Sequence, residues 1–254
     1  MLRHIGQKRT NVHNIRLAGL LSLTAGFVNG AGFLSFAIFT TNVTGHVAQF
    51  AEKLANGELN EALVIGLWML LFFAGAFVSS IIINATGHNQ RYAYTIPIIL
   101  EMIILLLAAT NIHWYDKQSS NFRFTAGSLL FAMGLQNAMV SMISGSVVRT
   151  THLTGMFTDL GIELAGSIYK PADKSIRPHL RGRIFLRLII IGFFFAGCIL
   201  SAIIYHSWRS NTFYIPVALL IICLLFDISR IKTMQIYRKV KAKYTDTGLT
   251  GHAE

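Results

Sequence analysis

Six apolar runs, each long enough to cross a lipid bilayer, recur along this chain of 254 residues. At about 1.5 Å per helical residue, roughly 20 residues cross the hydrocarbon core of a membrane. One soluble core of this size cannot bury so many apolar runs, and only 13% of the residues are charged. The sequence therefore predicts an all-α polytopic membrane protein with six full spans. The runs are 17–39, 62–84, 92–111, 124–146, 185–206 and 212–229.

The basic residues are segregated along the chain rather than gathered on one folded face, although the net charge is +11. Most Lys and Arg residues fall in the N-terminus 1–16, the loop 166–187 and the tail 230–254. The positive-inside bias places such segments in the cytoplasm, so we expect both termini to be cytoplasmic. The same segregation argues against nucleic acid as a partner.

Two further stretches, 44–56 and 154–168, are helical in pattern but short. Their apolar residues follow helical spacing, and their polar residues lie elsewhere on the helical wheel. About ten helical residues cover about 15 Å, which is half of a bilayer. We expect two short helices that are broken or re-entrant, because charged residues such as Asp159 and Glu163 disfavour a lipid-facing span.

Several segments of the first half of the chain recur in the same order in the second half. The longest matches are GFVNG at 26–30 with GLQNA at 134–138, TTNVTG at 40–45 with TTHLTG at 150–155, and FFAGAFVSSII at 72–82 with FFAGCILSAII at 194–204. Pro97 and Pro216 then follow at corresponding places. Collinear matches that include Asn, Thr and Gly indicate an internal duplication. The small residues of the FFAG segments predict close helix packing.

The duplication divides the chain into two halves, each with three predicted spans and one short helix. An odd number of spans makes the halves antiparallel, so the predicted arrangement is an inverted repeat, as in many secondary transporters. If the short helices cross the membrane, the repeat is parallel, and the charge pattern fits that topology equally well. The predicted units are the basic N-terminus 1–16, the first repeat 17–111 with its half-helix 44–56, the linker 112–123, the second repeat 124–229 with its half-helix 154–168, and the basic tail 230–254.

The motifs AGFVNGAGFL and FTTNVTG in the first half, with GLQNAMVS and VRTTHLTG in the second, resemble the YoaK-like family of uncharacterised bacterial inner-membrane proteins. The resemblance covers roughly residues 15–230. It implies a multi-pass protein of the bacterial inner (cytoplasmic) membrane, with no established substrate or catalytic residue. It also implies an Asp where Asn29 stands and an Asn where His46 stands, so a function that rests on a carboxylate at position 29 is not expected here.

The two T-T-x-x-T-G elements are the strongest candidates for a binding site. Thr44 and Thr154 are good N-cap residues, and the glycines that follow them permit a sharp chain entry. A helix that starts inside a membrane offers free N–H groups and the positive end of its dipole to an anion or a polarised oxygen. The alternative is that these residues only cap two bent helices. The candidate substrate-binding residues are Asn29, Thr41, Thr44, Gly45, His46, Gln136, Asn137, Thr151, His152, Thr154 and Gly155.

Three amide side chains lie in or near the middle of apolar runs, where an unsatisfied amide is costly. Asn29, Gln136 and Asn137 therefore need partners, which are either a solute or a neighbouring helix. His46 and His152 flank the threonine motifs and could approach each other across a pseudo-two-fold axis. No ligand spacing enforces a metal site, so we expect neither a metal nor a cofactor.

Three carboxylates are candidates for proton coupling. Glu101 lies near the centre of the third apolar run without a neighbouring cation, so its protonated form is favoured. The alternative is a neutral Glu that is hydrogen-bonded across a helix interface or faces a water-filled vestibule. Asp159 and Glu163 lie one turn apart on the second short helix and could bind a cation or pair with Arg149.

The sequence contains no Walker loop, nucleotide fingerprint, zinc-protease motif or nucleophile elbow, so we assign no catalytic residue. Our leading hypothesis is a secondary transporter or facilitator that binds a small polar solute, an anion included, between the helix starts at Thr44 and Thr154. Its partners are then the lipid bilayer and the solute, with a homo-oligomer as one option. The alternatives are a membrane-embedded enzyme acting on a lipid-borne substrate, which we favour less, and a non-transporting scaffold or sensor subunit.

Overall fold

The computed structural model describes residues 11–87, 93–111, 120–144, 150–169 and 177–226, and within these ranges it is helical without strands. The predicted basic tail at 230–254 and most of the linker at 112–123 lie outside the described residues. The helices are α1 (Asn11–Phe36), α2 (Val43–Ala55), α3 (Leu59–Thr86), α4 (Thr95–Asn111), α5 (Ser120–Ser144), α6 (Leu153–Tyr169) and α7 (Arg177–Trp208), followed by a 3-10 turn (Arg209–Phe213) and α8 (214–226).

Four of these helices are long and apolar enough to cross a membrane, which indicates a membrane protein. They are α1, α3, α5 and α7, and each matches one of the six predicted spans. The helices at the two other predicted spans are apolar but shorter within the described residues. For α4, for example, 17 residues cover about 25 Å, less than the hydrocarbon thickness of about 30 Å.

The two long helices α1 and α5 form the centre of the molecule. Within their most apolar segments, 61% of α1 and 67% of α5 is buried, against 28% of α3 and 22% of α7. The outer helices α3 and α7 therefore present large apolar side chains to their surroundings, including Leu63, Phe73 and Ile203. Such a surface is stable in lipid rather than in water.

The central helix α1 of the first half packs against α7 of the second half. Their backbones meet at two glycines, because a Cβ added to Gly26 would overlap the carbonyl oxygen of Phe194. A Cβ added to Gly197 would likewise overlap the carbonyl oxygen of Leu23. The missing side chains let the two helices approach to backbone contact, as small residues do in membrane bundles.

The central helix α5 of the second half meets α3 of the first half in the same way. A Cβ on Gly134 would overlap the carbonyl oxygen of Phe72, and one on Gly75 would overlap that of Phe131. Gly26 and Gly134 are matched positions of the duplicated segments, as are Gly75 and Gly197. The packing predicted for the FFAG segments is therefore present at both crossings, and each half contributes one helix to each crossing.

The two short helices rest on the outer helices, α2 on α3 and α6 on α7. Their bounds agree with the short helices predicted from the sequence to within a residue at each end. Each short helix begins directly after a T-T-x motif, at residues 40–42 for α2 and 150–152 for α6.

Candidate functional site

Both T-T-x-x-T-G turns line one cavity of about 700 Å³. Its wall is made largely of hydroxyl, amide and small apolar side chains, and His152 is the single titratable side chain among the described lining residues. Residues 41–45 and 151–154 contribute most of this wall, together with Ala48, Phe72 and Asn137. The cavity therefore lies between the starts of α2 and α6.

The first turn of α2 is capped by Asn42, not by Thr44 as predicted. The Asn42 Oδ1 atom accepts a hydrogen bond of 3.1 Å from the backbone N–H of Gly45. Thr44 lies inside the first turn, since the helix begins one residue before it. Asparagine is among the strongest N-cap residues, which explains why it takes the capping position ahead of the threonine.

The first turn of α6 begins with a different residue at the same place. His152 occupies the position that matches Asn42, and Thr154 lies inside the first turn, so the capping role predicted for Thr154 is also wrong. The backbone N–H of Met156 donates to the carbonyl oxygen of His152, at 3.1 Å. Within the described residues, no side chain caps this helix start. The imidazole of His152 lies close to Gly155, where an added Cβ would be 3.0 Å from the ring.

The amide of Asn29 on α1 is engaged within the first half. Its Oδ1 atom accepts from the backbone N–H of Thr41 at 3.2 Å and from the Thr41 hydroxyl at 3.0 Å. These two bonds tie the loop before α2 to the middle of α1. Asn29 is thus a tether behind the cavity wall, while Thr41 itself lines the cavity.

The matching amide, Asn137 on α5, is not engaged in this way. Its Oδ1 atom is buried and has no hydrogen-bond partner, although Asn137 lines the cavity. Thr151, the match of Thr41, also lines the cavity and is 9% exposed. The bonds that close the Asn29–Thr41 tether in the first half are therefore absent from the described second half.

A model of the family of proteins of unknown function called DUF1275 matches residues 17–226. This chain belongs to that family. No curated protein and no solved structure matches the chain. Membership of DUF1275 agrees with the resemblance to an uncharacterised family, and the YoaK-like name stays a prediction.

The structure brings some of the candidate binding residues together at the cavity and places others behind it. Those that line the cavity are Thr41, Thr44, Gly45, Asn137, Thr151, His152 and Thr154. Asn29, His46, Gln136 and Gly155 lie outside its lining. A binding role for any of these residues stays a prediction.

The two histidines do not share a site. His46 is 2% exposed, and its Nε2 atom lies 3.0 Å from the carbonyl oxygen of Phe39. Its Nδ1 atom lies 3.2 Å from the side-chain oxygen of Gln49. The ring also meets Trp68 edge-on, with the ring centroids 6.2 Å apart. His46 therefore anchors α2 on α3, and it lies outside the cavity lining that includes His152.

Gln136 joins the two central helices. Its Nε2 atom donates to the carbonyl oxygen of Leu21 at 2.7 Å, between α5 and α1. This bond is one of the two interpretations left open by the sequence, an inter-helix hydrogen bond. Gln136 is fully buried, so it stabilises the contact between the halves rather than facing the cavity.

The candidate proton-coupling residue Glu101 is fully buried on α4, and neither of its carboxyl oxygens has a hydrogen-bond partner. It is not part of the cavity lining. α4 packs against α5 and the 3-10 turn, and Glu101 is buried on this helix. Proton coupling through Glu101 stays a prediction.

Asp159 and Glu163 on α6 are paired with arginines of α7. Arg187 lies 3.0 Å from the Asp159 carboxylate and 3.3 Å from that of Glu163, and Arg183 lies 3.1 Å from Glu163. Arg149, the partner considered from the sequence, lies outside the described residues. In the described parts of the chain, no group of three His, Cys, Asp or Glu residues is placed to hold a metal ion.

Five residues that line the cavity were not among the predicted site residues: Asn42, Val43, Ala48, Phe72 and Leu153. Asn42 was overlooked as a cap, although an Asn directly before a helical pattern is a strong N-cap signal. Phe72 lines the cavity through the crossing of α3 with α5. Its place depends on a contact between distant segments, which hydrophobic periodicity does not show.

Proposed function

We propose that this protein is a secondary transporter or facilitator for a small polar solute, which binds in the cavity between the starts of α2 and α6. The observation that carries the proposal is the meeting of both T-T-x-x-T-G turns at one cavity of about 700 Å³. The cavity has room for a small solute and offers hydroxyl and amide groups to it. Solute sites orient their ligands through placed polar groups, and the hydroxyl and amide side chains of this wall are of that kind.

An inverted repeat of six spans is part of this proposal. Residue numbers rise together along the contacts of α1 with α7, from Gly19 against Phe193 to Gly30 against Cys198. These two helices therefore run in the same direction. The same holds for α5 and α3, where Trp68 donates to the carbonyl oxygen of Arg123 and Gly134 meets Phe72 further along.

The contact between the two central helices supports antiparallel halves. Gln136 of α5 bonds to Leu21 of α1, whereas the residue of α1 that matches Gln136 is Val28. Leu21 and Val28 are seven residues apart, which is about 10 Å along a helix. The two central helices therefore do not contact each other at matched residues. Two antiparallel helices related by a two-fold axis in the membrane plane produce such an offset contact.

The positions of the basic residues along the chain predict which segments lie on the cytoplasmic side of the membrane. We place the protein in the bacterial inner membrane with both termini in the cytoplasm. The basic loop before α7 then lies on the same side as the basic N-terminus, as the positive-inside bias requires. α1 and α7 run in the same direction, which is consistent with both starting on the cytoplasmic side.

The ion pairs of α6 favour transport over the enzyme alternative. Asp159 and Glu163 are engaged by arginines and do not line the cavity, so they are not poised to act on a bound substrate. The cavity also favours a transporter over a scaffold, since a closed and dry interior is what a scaffold needs.

The proposal is tested by solute flux into proteoliposomes containing the purified full chain. The solutes are nitrate, acetate, glycerol and urea, each measured with and without a pH gradient. We expect flux above that of empty liposomes, and at least a tenfold loss in the double variant Thr44→Val with Thr154→Val. Flux that depends on the pH gradient and is lost in Glu101→Gln supports proton coupling.

The matched control is the double variant Thr110→Val with Thr158→Val. Both threonines are exposed and bonded to their own helix, and neither lines the cavity. This variant should transport like the parent protein. Flux at the level of empty liposomes for every solute, or flux that survives the cavity variant unchanged, overturns the proposed function.

A further inference from the structure

Groups that are hydrogen-bonded at the start of α2 are left without partners at the start of α6. On the first side, Asn42 caps the N–H of Gly45, and Asn29 accepts both the N–H and the hydroxyl of Thr41. Those groups are already satisfied. A solute gains little by replacing a hydrogen bond that the protein makes for itself.

On the second side, the matched groups are not bonded to each other. Thr151 is more than nine-tenths buried, lines the cavity, and has no hydrogen bond to any other described residue. The Oδ1 atom of Asn137 does not reach it as Asn29 reaches Thr41. Buried polar groups are rarely left unpaired, so the Thr151 hydroxyl, which borders the cavity, is a donor with which a hydrogen-bond-accepting ligand can pair.

The backbone of α6 adds donors at the same place. The first N–H groups of an α-helix have no partner within the helix, and no described side chain caps those of residues 153–155. His152 stands where the capping Asn42 stands in the first half. Neither helix carries an acidic residue in its first turn, so nothing internal offsets the positive end of the dipole.

The charges of the cavity wall select the kind of solute. No Asp or Glu is among the described lining residues, so an anion meets no like charge there. No Lys or Arg is among them either, and the start of a helix contributes only about half of a positive charge. One negative charge can be accommodated by these groups, whereas two in the same place lack a counter-charge.

We infer that the cavity binds a small monovalent oxyanion at the start of α6, held by the free N–H groups of residues 153–155 and the Thr151 hydroxyl. The inference rests on the proposed function for its biological setting and deepens it in two ways. It assigns the solute to the α6 side instead of the midpoint between both helices. It also names the chemistry, which a carboxylate and an inorganic oxyanion share.

The test measures binding, separately from flux. Isothermal titration calorimetry on the detergent-purified full chain uses acetate as the carboxylate and nitrate as the inorganic oxyanion, with sulfate and glycerol as contrasts. We expect at least one of the two monovalent anions to bind at least tenfold more tightly than sulfate and glycerol. Binding of acetate alone identifies the carboxylate source, and binding of nitrate alone identifies the inorganic one.

Two variants locate the site. Thr151→Val removes the free hydroxyl at nearly constant volume and should weaken the affinity for the anion about tenfold. Thr41→Val, its match in the first half, removes a hydroxyl that is already bonded to Asn29 and should weaken the affinity clearly less than Thr151→Val does. Thr158→Val, whose hydroxyl bonds its own helix outside the cavity lining, should leave the affinity unchanged. His152 is exposed, so His152→Asn should not disturb folding. The new Asn side chain stands where the N-cap residue Asn42 stands in the first half. It should occupy the N–H of Gly155, weaken anion binding about tenfold and raise the melting temperature.

The outcomes separate the two proposals. Equal losses of affinity in Thr41→Val and Thr151→Val overturn the assignment to α6. Binding and flux of glycerol without binding of either monovalent anion overturns the oxyanion while the transporter stands. Anion binding with the expected variant pattern, but without flux of any solute, supports the site and overturns the proposed function. Binding that is unchanged in His152→Asn also contradicts the inference.

Discussion

The two halves of the molecule share their helix crossings and differ at their short helices. α1 with α7 and α5 with α3 meet through glycines at matched positions, backbone against backbone. By contrast, α2 is fixed to α3 by the buried His46 and its contact with Trp68, whereas α6 is fixed to α7 by ion pairs. A backbone contact tolerates no added atom, while a short helix can be held by any sufficient set of side chains. The matched sequence segments therefore make equivalent contacts at the crossings, and the side-chain contacts that differ between the halves are those of α2 and α6.

The ion pairs of the two short helices differ in burial. Glu163 and Arg187 are 9% and 15% exposed, whereas Lys53 and Glu58 at the end of α2 are 28% and 43% exposed. The hydrogen bond to Glu58 raises the pKa of Lys53, and the nearby carboxylates of Glu52 and Glu61 add to this effect. Exposed pairs of this kind contribute little to stability. We therefore expect matched substitutions to lower stability by unequal amounts at the short helices and by equal amounts at the glycine crossings.

The largest expected effect is at the shared crossings. Gly75→Ala and Gly197→Ala each place a Cβ against a backbone carbonyl, which cannot move aside as a flexible side chain can. We expect each to lower stability by about 3 kcal/mol, at the upper end for overpacking. Thermal unfolding of the purified protein in detergent measures this loss.

The control for the crossings is Gly192→Ala. It lies on the same helix as Gly197, and an added Cβ there meets nothing within 4 Å. This variant should unfold like the parent, or slightly later because alanine favours helix. A large loss at Gly197 with none at Gly75 would break the equivalence of the two crossings.

The next largest loss of stability is expected at the ion pairs of α6, with no loss at the exposed ion pair of α2. Glu163→Gln removes the buried charge that faces both Arg183 and Arg187. We expect a loss on the order of 2 kcal/mol, less than for a fully buried pair because Arg183 is 58% exposed. Glu58→Gln, at the exposed pair of α2, should leave the unfolding midpoint unchanged. Similar shifts in the two variants would show that burial does not distinguish the two helices.

At a third pair of positions, the substitution in the first half should cost more stability than the one in the second half. His46→Ala deletes a buried ring, its contact with Trp68 and its bond to the carbonyl of Phe39, so we expect a loss of about 2 kcal/mol. His152→Ala, on the exposed cavity wall, should be close to neutral. Chemical unfolding followed by tryptophan fluorescence measures both. A neutral His46→Ala would mean that α2 is held by other contacts, such as Phe50 against Gly66.

Much of the helical layout could be predicted from the sequence, because hydropathy and helical spacing are local properties. The short helices appear where the pattern placed them, and the two T-T-x-x-T-G turns line one cavity. α4 and α8 are apolar but shorter than 18 residues within the described parts of the chain, so the six full spans stay a prediction. Inverted topology stays a prediction.

The roles of single polar residues were harder to predict, since they depend on which distant backbone groups lie within reach. Asn29 and Asn137 look alike in the sequence, yet Asn29 bonds to Thr41 and Asn137 has an unpaired oxygen. His46 was expected at the site, but its ring finds a carbonyl within its own half. A pattern of residue types cannot decide between partners that only the packing of helices brings together.

The smallest expected effect tests whether the start of α2 differs from that of α6 because of its cap alone. Asn42→Ala frees the N–H of Gly45 and should lower stability by about 1 kcal/mol, while Asn42→Gly should cost only a few tenths. An uncapped helix start attracts anions, so added nitrate should recover part of the loss in Asn42→Ala. Thermal unfolding in nitrate and in an equal concentration of glycerol measures this recovery. Equal recovery in both solutes would show that the cap is not what closes the α2 side to anions, and the difference between the halves would then lie in the Asn29–Thr41 tether.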